Sequence, residues 1–564
     1  MELPPLAPWP FPVLIFALLV LLPGFLLASA VLAGRRVEEA LLALLAIVLG
    51  LVSVAGTAYL WVAISNEHLS FMALLVPSCS YSLVAGVFWW RGKRPELLRT
   101  PLAVWLTLAL VALVVFLTHD ASVLAEAAGN WFNDGRGNCF RLGTFQYLGL
   151  PSPVWQQTLP PLADYWDGIM PGNLALSSLY IKVFGWPGLR LLRVTMALVL
   201  GLQGYLLGKR YSNWGFSGYV GLVVFALNPF VLLVQDADRN VIALVFGSLL
   251  YTLLVCELGG PVLLGIIAGF TAGLGLQMLP LLFLIPVGWH LWQQHRRPWP
   301  PIVAVICGLA VAALWLLRIG WYDPGPLNPM QAYDLGFMEL RIQYVLGFPF
   351  YPDLTHGPHN TYPALLTFVF YMANTLGAIL VGLGVLGWFR MAETRRNELW
   401  TLMLFGLPPL LVLGLMVRII PDQLRLAILC LLPCLVGITV GANWVLGSRP
   451  TRFRVALIGA ALLIPFLILL GLAQVRVESD PRFARIPPPT GDDPIAAYMT
   501  LEARSRLGML PGSKPPPEQP SVTLKPSHND STRLGPCSWP AVLPDYTNRH
   551  PLGRADDDRW VDLQ

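Results

Sequence analysis

The fold class of this chain is decided by residues 101–140, PLAVWLTLALVALVVFLTHDASVLAEAAGNWFNDGRGNCF. The first part is an uninterrupted apolar segment, close to the roughly 20 residues that a helix needs to cross a bilayer. This segment runs directly into His119 and Asp120, and amphipathic sequence follows. A carboxylate at the mouth of a membrane helix is well placed to act on a lipid-linked substrate, whose head group lies in water while its tail stays in the bilayer.

The composition extends this apolar character to the whole chain. Of 564 residues, 55% are hydrophobic and 12% are charged, whereas a soluble domain has about 25% charged residues. The net charge is only +5, and the basic residues form short clusters between apolar runs. Such clusters are typical of topology signals and not of a nucleic-acid surface. The first apolar run has no basic segment before it, so we interpret it as a first span and not as a cleaved leader.

The length rule predicts an all-α polytopic membrane protein with about fourteen transmembrane helices. Every basic cluster follows an odd-numbered span, so the positive-inside rule puts these clusters in the cytoplasm and the N-terminus outside. For the eighth and ninth spans the sequence leaves an alternative, one helix broken around Gly273, Gly275 and Pro280. The predicted spans are 11–33, 40–64, 70–90, 101–118, 190–208, 215–234, 241–256, 260–276, 277–293, 300–320, 362–389, 399–417, 424–446 and 455–474.

The even-numbered spans then lead to loops that share the outer side. These loops are acidic, aromatic and rich in histidine, and a shared side is what a composite active site needs. They comprise the loops 119–189 and 322–361, the turn 235–240 and the Pro-rich tail 475–564. Cys139 and Cys537 both fall in these segments, so a disulfide between them is a hypothesis.

Asp120 has two interpretations. It can act as a general base or hydroxyl-orienting carboxylate, with His119 beside it. Alternatively, Thr118 and Asp120 cap an interfacial helix that begins at SVLAEAAGNWF, because both residue types favour the N-cap position. Glu126 and Asp134 are alternative carboxylates in the same loop.

The segment 158–194 contains LALSSLYIKVF, which we interpret as a helix that lies along the membrane surface with its aromatic residues in the interfacial belt. Asp164 and Asp167 are three residues apart and can face one site. Further along, Arg193 lies at the predicted outer mouth of the fifth span. An arginine there can hold a lipid phosphate by paired hydrogen bonds, or simply extend its charge to the interface.

Two further outer segments carry candidate residues. The turn 235–240 holds Asp236, Asp238 and Arg239, which is either a divalent-metal motif or a short solvated turn. The loop 322–361 holds Asp353, His356 and His359, whose spacing suits zinc but lacks a complete ligand pattern. We favour a loop that contacts substrate.

The predicted spans are nearly free of charge at their centres, which argues against an ion or proton transporter. No phosphate-binding loop for a nucleotide is present in the sequence. The donor of any transferred group is therefore not expected to be cytosolic ATP.

These residues resemble the GT-C class of integral-membrane glycosyltransferases, which includes protein O-mannosyltransferases and the lipid A aminoarabinose transferase. HDASVLAEAAGNW is similar to the start of the family's first external loop, with Asp120 at the acidic position. PPLADYW, LALSSLYIKVFG and LLRV are similar to the next segments, with a re-entrant helix and with Arg193 at the arginine position. NPFVLLVQDADRN and DQLRLAILCLLPCLVGI, which contains Arg425, are similar to later ones. Two departures are that Ala121 follows Asp120 where the family has a second acidic residue, and that no aromatic residue follows Arg425.

The resemblance implies a GT-C-like fold that transfers a sugar, with inversion, from a polyprenyl-phosphate donor to an acceptor hydroxyl at the outer face of the membrane. It implies that Asp120 activates the acceptor and that Arg193, helped by Arg239 or Arg425, stabilises the leaving phosphate. Substrate contacts are expected from His119, Asp164, Tyr165, Asp236, Asp238 and His356. A divalent metal is optional and no other cofactor is implied.

The expected division of the chain is extra helices at 1–99, the catalytic core at 100–447, a last span at 448–474 and the tail at 475–564. The expected location is a bacterial inner membrane with the site on the periplasmic side, and the acceptor is a lipid, a glycan or a protein. Two alternatives stay open, a polysaccharide polymerase or lipid-linked glycan flippase, and a non-enzymatic membrane assembly protein.

Overall fold

The structure is a computed structural model. It describes residues 10–65, 69–92, 94–127, 171–184, 188–212, 216–227, 237–274, 276–316, 377–416, 431–447 and 451–479.

These residues are almost entirely helical. The helices are α1 Pro10–Val31, α2 Glu39–Ser65, α3 Met72–Arg91, α4 Leu102–Ala127, α5 Pro171–Phe184, α6 Gly188–Tyr211, α7 Ser217–Ala226, α8 Ala237–Val255, α9 Pro261–Ala272, α10 Leu284–His295, α11 Trp299–Leu316, α12 Ala378–Thr394, α13 Arg396–Met416, α14 Leu431–Leu446 and α15 Arg452–Ser479. A π-helical turn, Ala17–Leu21, lies within α1, and a 3₁₀ segment, Leu276–Phe283, precedes α10. Two short strands, β1 Arg36–Glu38 and β2 Glu96–Leu98, pair in parallel.

The helices are consistent with the predicted all-α membrane protein. Within the described ranges, four segments are long and apolar enough to cross a membrane: Pro10–Val31, Glu39–Ser65, Met72–Arg91 and Leu191–Tyr211. Every predicted span overlaps a described helix, and α5 lies outside the predicted spans. Because most of the other helices are short or carry polar ends, the number of fourteen crossings stays a prediction.

Helices α9 and α10 form a hairpin around α11. Gly265 and Gly269 of α9 approach Ala304 and Gly308 of α11 in the same chain direction. In contrast, Leu284 at the start of α10 meets Gly308, so α10 runs antiparallel to α11. The chain therefore reverses between α9 and α10, and the alternative of one broken helix is wrong. The reversal occurs at the glycine-rich and proline-containing stretch that separates them, where a helix is costly.

The basic clusters meet at one end of the helix bundle, which we call the basic end. Lys209 at the end of α6 forms an ion pair with Glu38 of β1. Arg210 and Arg395 both pair with Glu398 at the start of α13, at 3.1 and 3.0 Å. The strand pair joins the segments that follow α1 and α3. The predicted odd-span clusters thus share one side in the structure, and which compartment that side faces stays a prediction.

The remaining basic clusters lie at the same end of the bundle. The His290 ring of α10 contacts the Thr401 hydroxyl of α13 at 3.2 Å, which brings the end of α10 to the start of α13. Asn443 of α14 donates to the Ser217 carbonyl of α7 at 3.4 Å, and Arg454 donates to the Val445 carbonyl. The end of α14 and the start of α15 therefore lie here too.

Helices α1–α3 share the core with the rest of the chain. Helix α2 packs against α5 and α6 as well as against α1 and α3. At the basic end, the buried Thr100 hydroxyl accepts a hydrogen bond from the Ala40 amide at 3.0 Å, and the Thr100 amide donates to Glu39. The start of α2 is thus tied to the segment that enters α4.

Candidate functional site

The outer end is our name for the end opposite the basic end, and Arg193 is a buried cation there. Arg193 is 6% exposed and lies near the start of α6. Ala197, Leu200 and Gly204 follow it at helical spacing, and all are buried. Gly204 in this row contacts Gly221 of α7. Arg193 is thus the outermost member of the row of α6 that faces α7. A buried charge is costly unless it has compensating partners, so this position is not a simple surface arginine.

The end of α4 lies at nearly the same level as Arg193. Helices α4 and α6 pack antiparallel, and Gly201 of α6 meets Leu108 of α4. Asp120 is twelve residues beyond Leu108, or about 18 Å along the axis at about 1.5 Å per residue. Arg193 is eight residues from Gly201, or about 12 Å. The two backbone positions therefore differ by about 6 Å along the bundle.

The start of α8 reaches the same level. Gln203 of α6 donates to the Val245 carbonyl of α8 at 3.0 Å, and the two helices run in the same direction toward the basic end. Ala237, where α8 begins, is eight residues before Val245 and so level with Thr195 of α6. Asp238 and Arg239 follow within the first turn of α8, and the structure describes only their backbone. The outer end therefore gathers the end of α4, the start of α6 and the start of α8.

Asp120 lies inside a helix and not in a loop. Helix α4 continues to Ala127, so the external loop begins later than the predicted residue 119. The interpretation of Thr118 and Asp120 as N-cap residues is wrong, because helix precedes and follows both. The apolar pattern predicted an end at residue 118, but polar residues continue the backbone hydrogen bonding for two more turns. At positions 117–127, including His119, the structure describes the backbone alone.

The helical repeat of α4 determines on which side of the helix position 120 lies. Leu106 and Leu113 precede it by fourteen and seven residues and are 62% and 53% exposed. Val111 and Val115, on the opposite side, are buried. With a repeat of about 3.6 residues, position 120 has the phase of the exposed row. The structure thus brings Asp120 and Arg193 to one end of the bundle, but it does not join them in one packed interior.

Helix α5 corrects the prediction of a surface helix. Ten of its fourteen residues are buried, and it packs against α1, α2, α6 and α9. The Gly172 amide donates to the Gly273 carbonyl at 2.7 Å, and the Tyr180 hydroxyl donates to Thr195 at 2.9 Å. Tyr180, predicted for the interfacial belt, instead packs against Phe16 in a tilted arrangement, with ring centroids 5.0 Å apart. Most of its residues are apolar, and packing among the neighbouring helices removes this apolar surface from water.

Lys182 of α5 is a second cation at this end, and it was missed by the sequence interpretation. It is half-buried, and desolvation lowers the pKa of its ammonium group. The sequence does mark this residue, because Lys182 is the one charged residue within LALSSLYIKVF. Among the side chains that the structure describes, Lys182 and Arg193 are the lysine and arginine residues that lie away from the basic end. The backbones of Asp120 and Asp238 belong to the same end, so cationic and acidic residues are both present there.

The other predicted site residues lie outside the described ranges. They are Asp164, Tyr165, Asp236, His356 and Arg425, together with the alternative ligands Asp353 and His359 and the cysteines Cys139 and Cys537. Within the described residues, no group of three histidine, cysteine or acidic side chains is placed to hold a metal ion.

Comparison with known proteins gave no match, either to a model of a protein family or to a curated protein. The GT-C resemblance therefore depends on the segments quoted above and on their residue types.

Proposed function

We propose that this protein is a glycosyltransferase that transfers a sugar, with inversion, from a polyprenyl-phosphate donor to an acceptor hydroxyl at the outer face of the membrane. The acceptor class is a lipid, a glycan or a protein. We place the protein in a bacterial inner membrane, with its GT-C-like core at 100–447 and its site on the periplasmic side.

The observation that carries this proposal is the buried Arg193 at the outer end, with Lys182 of α5 at the same end. A departing lipid phosphate has two negative charges to stabilise, and preorganised cations in a water-poor site stabilise developing charge best. A planar guanidinium can donate two parallel hydrogen bonds to one phosphate. The remaining basic residues with described side chains lie at the other end and are not available for this role.

Asp120 is proposed to take the proton of the acceptor hydroxyl or to orient that hydroxyl. Its helical phase is that of the exposed Leu106 and Leu113, which form an apolar surface on α4. A prenyl chain in the bilayer can lie along such a surface while its sugar reaches the level of position 120. In this arrangement the donor approaches from the lipid and the acceptor from the water outside.

The test is sugar transfer by purified protein in nanodiscs that contain a radiolabelled polyprenyl-phosphate sugar. We expect Asp120→Asn to lower transfer by at least about 100-fold, the lower range for loss of a general base. Glu126→Gln is the matched control, because it removes a carboxylate from the same helix six residues away, and it should retain transfer. Full activity of Asp120→Asn at equal expression would reject the catalytic assignment.

Arg193 is tested with two variants of graded severity. Arg193→Lys keeps the positive charge but loses the paired hydrogen bonds, and we expect a partial loss of transfer. Arg193→Gln should lose far more of the transfer activity than Arg193→Lys. The fraction of folded protein in each variant is measured in parallel by size-exclusion chromatography. If wild-type protein moves the labelled lipid between leaflets and never releases label to an acceptor, the flippase alternative is correct and the glycosyltransferase proposal is wrong.

A further inference from the structure

The turn between α10 and α11 presents two exposed arginines at the basic end. Arg296 and Arg297 are both exposed, between the antiparallel helices α10 and α11. Neither forms an ion pair with a carboxylate among the residues that the structure describes. Arg36, Arg210 and Arg390, also exposed at this end, do form ion pairs with glutamates, at 2.9, 3.1 and 2.9 Å.

Tryptophans flank the two arginines on both helices. Trp292, four residues before Arg296, is 44% exposed, and Trp299, two residues after Arg297, is 70% exposed. Tryptophan rings concentrate at the level of lipid head groups, where an apolar ring and a polar N–H are both accommodated. The turn therefore has the residue composition that is typical of segments at the level of lipid head groups.

The backbone of Arg296 is strained. It is the C-cap of α10 and has φ 52° and ψ 21°, in the left-handed region. Glycine or asparagine usually occupies such a position, because a side chain there costs free energy. Strain of this kind persists where the side chain has a role, and it is a reason to look for one. At position 296 the side chain in this strained conformation carries a guanidinium group.

The basic end also has a large excess of positive charge. Its described side chains include fourteen arginine and lysine residues and six glutamates, a surplus of eight. The whole chain has a net charge of only +5, so the surplus is local to this end. A surface of this sign at the level of lipid head groups complements anionic lipids.

We propose that the α10–α11 turn is a binding site for an anionic phospholipid, whose phosphate lies between Arg296 and Arg297 and whose glycerol region contacts Trp292 and Trp299. This site is independent of sugar transfer at the outer end. Juxtamembrane basic residues each contribute about fivefold to such binding, equivalent to about 1 kcal/mol.

The experiment titrates phosphatidylglycerol into the full-length protein in neutral detergent micelles and follows the thermal unfolding midpoint. We expect the lipid concentration for half-maximal stabilisation to rise by about 25-fold in the double variant Arg296→Gln, Arg297→Gln. The control is Arg36→Gln with Arg390→Gln, which removes the same charge from exposed, ion-paired arginines at the same end. An equal rise in both double variants would reject a discrete site in favour of diffuse charge.

Two further arms separate lipid binding from effects on folding and from free phosphate. Arg296→Gly relieves the left-handed strain, so its unfolding midpoint without lipid should be equal or higher, while its half-saturating lipid concentration rises about fivefold. Phosphatidylcholine should give no comparable shift, and glycerol 3-phosphate should not compete. Equal stabilisation by phosphatidylcholine, or an unchanged lipid response in Arg296→Gly, would overturn the proposal.

Discussion

Replacement of Gly204 by alanine should separate α6 from α7. A methyl group at position 204 would lie 2.2 Å from the carbonyl oxygen of Gly221, and side-chain carbons essentially never approach another heavy atom within 3.0 Å. The contact is reciprocal, because a methyl group at Gly221 would lie 2.0 Å from the Gly204 carbonyl. Both obstacles are backbone atoms, so no rotation of a side chain relieves them. Small residues at such a crossing allow helices in a bilayer to pack closely.

The expected loss of stability can be worked out from these distances. Relief of the clash requires α7 to move by about 0.8 Å, and overpacking of this kind costs about 1–3 kcal/mol. We expect the upper part of that range, because the same row continues to Gly208 and Ser217, where a methyl group would be 2.3 Å from a carbonyl. Alanine recovers up to about 1 kcal/mol through its higher helix propensity. The net loss for Gly204→Ala is therefore about 1–2 kcal/mol.

The assay is reversible unfolding by sodium dodecyl sulfate in mixed micelles, followed by circular dichroism. The control is Gly382→Ala in α12, because a methyl group there has no neighbouring atom within 4 Å among the described residues. Gly382→Ala gains only the helix-propensity term, so the two variants should differ by about 2–3 kcal/mol. If Gly204→Ala is as stable as Gly382→Ala, the close packing of α6 and α7 is incorrect.

Three further substitutions test the charges and caps of the bundle. Glu398→Gln should destabilise by about 1–3 kcal/mol, because two guanidinium groups lose their shared carboxylate, whereas Glu393→Gln, in an exposed pair, should change stability by less than about 0.5 kcal/mol in the same unfolding assay. Lys182 has a lowered pKa, so between that pKa and its ordinary value of about 10.4 the unfolded chain binds more protons than the folded one. Wild-type stability should therefore rise with pH through that window, and a Lys182→Met variant that shows the same rise would contradict this. Thr100→Val should cost about 1 kcal/mol by removal of the acceptor for the Ala40 amide, while Thr100→Ser should retain stability; equal losses in the two variants would exclude the hydrogen bond as the cause.

The sequence was sufficient to predict that the apolar runs form helices, and four of the described helices are long and apolar enough to cross a membrane. It also predicted that the basic clusters would share one end, which the ion pairs of Glu398 and Glu38 now join directly. What it did not predict is which atoms meet there. The carboxylates and arginines that pair are separated by up to 188 residues, and no local pattern specifies such partners.

Helix α5 shows where the sequence argument failed. Its serines, its lysine and its flanking prolines are equally compatible with an interfacial helix and with a short helix among others. The choice depends on whether a space exists beside α1, α2 and α9, which is a property of the assembled bundle. The predicted end of α4 was wrong for a related reason. The hydropathy changes at residue 118, but the helical backbone hydrogen bonding continues beyond it.

For two of the predicted site residues the structure gives a position in the bundle, while their roles stay predictions. Arg193 was predicted at the mouth of the fifth span and lies there, buried, in the row that faces α7. Asp120 lies at the same level, but its phase on α4 is that of exposed leucines. A single compact site therefore requires the donor to connect the two, with its phosphate toward Arg193 and its sugar toward position 120. Under the proposed function, a lipid-linked donor fits this requirement better than a small soluble one, because the exposed Leu106 and Leu113 of α4 lead along the helix to the level of position 120. If Asp120→Asn and Arg193→Gln both abolish transfer but a water-soluble sugar phosphate supports wild-type activity as well as the polyprenyl form, this reasoning about the donor is wrong.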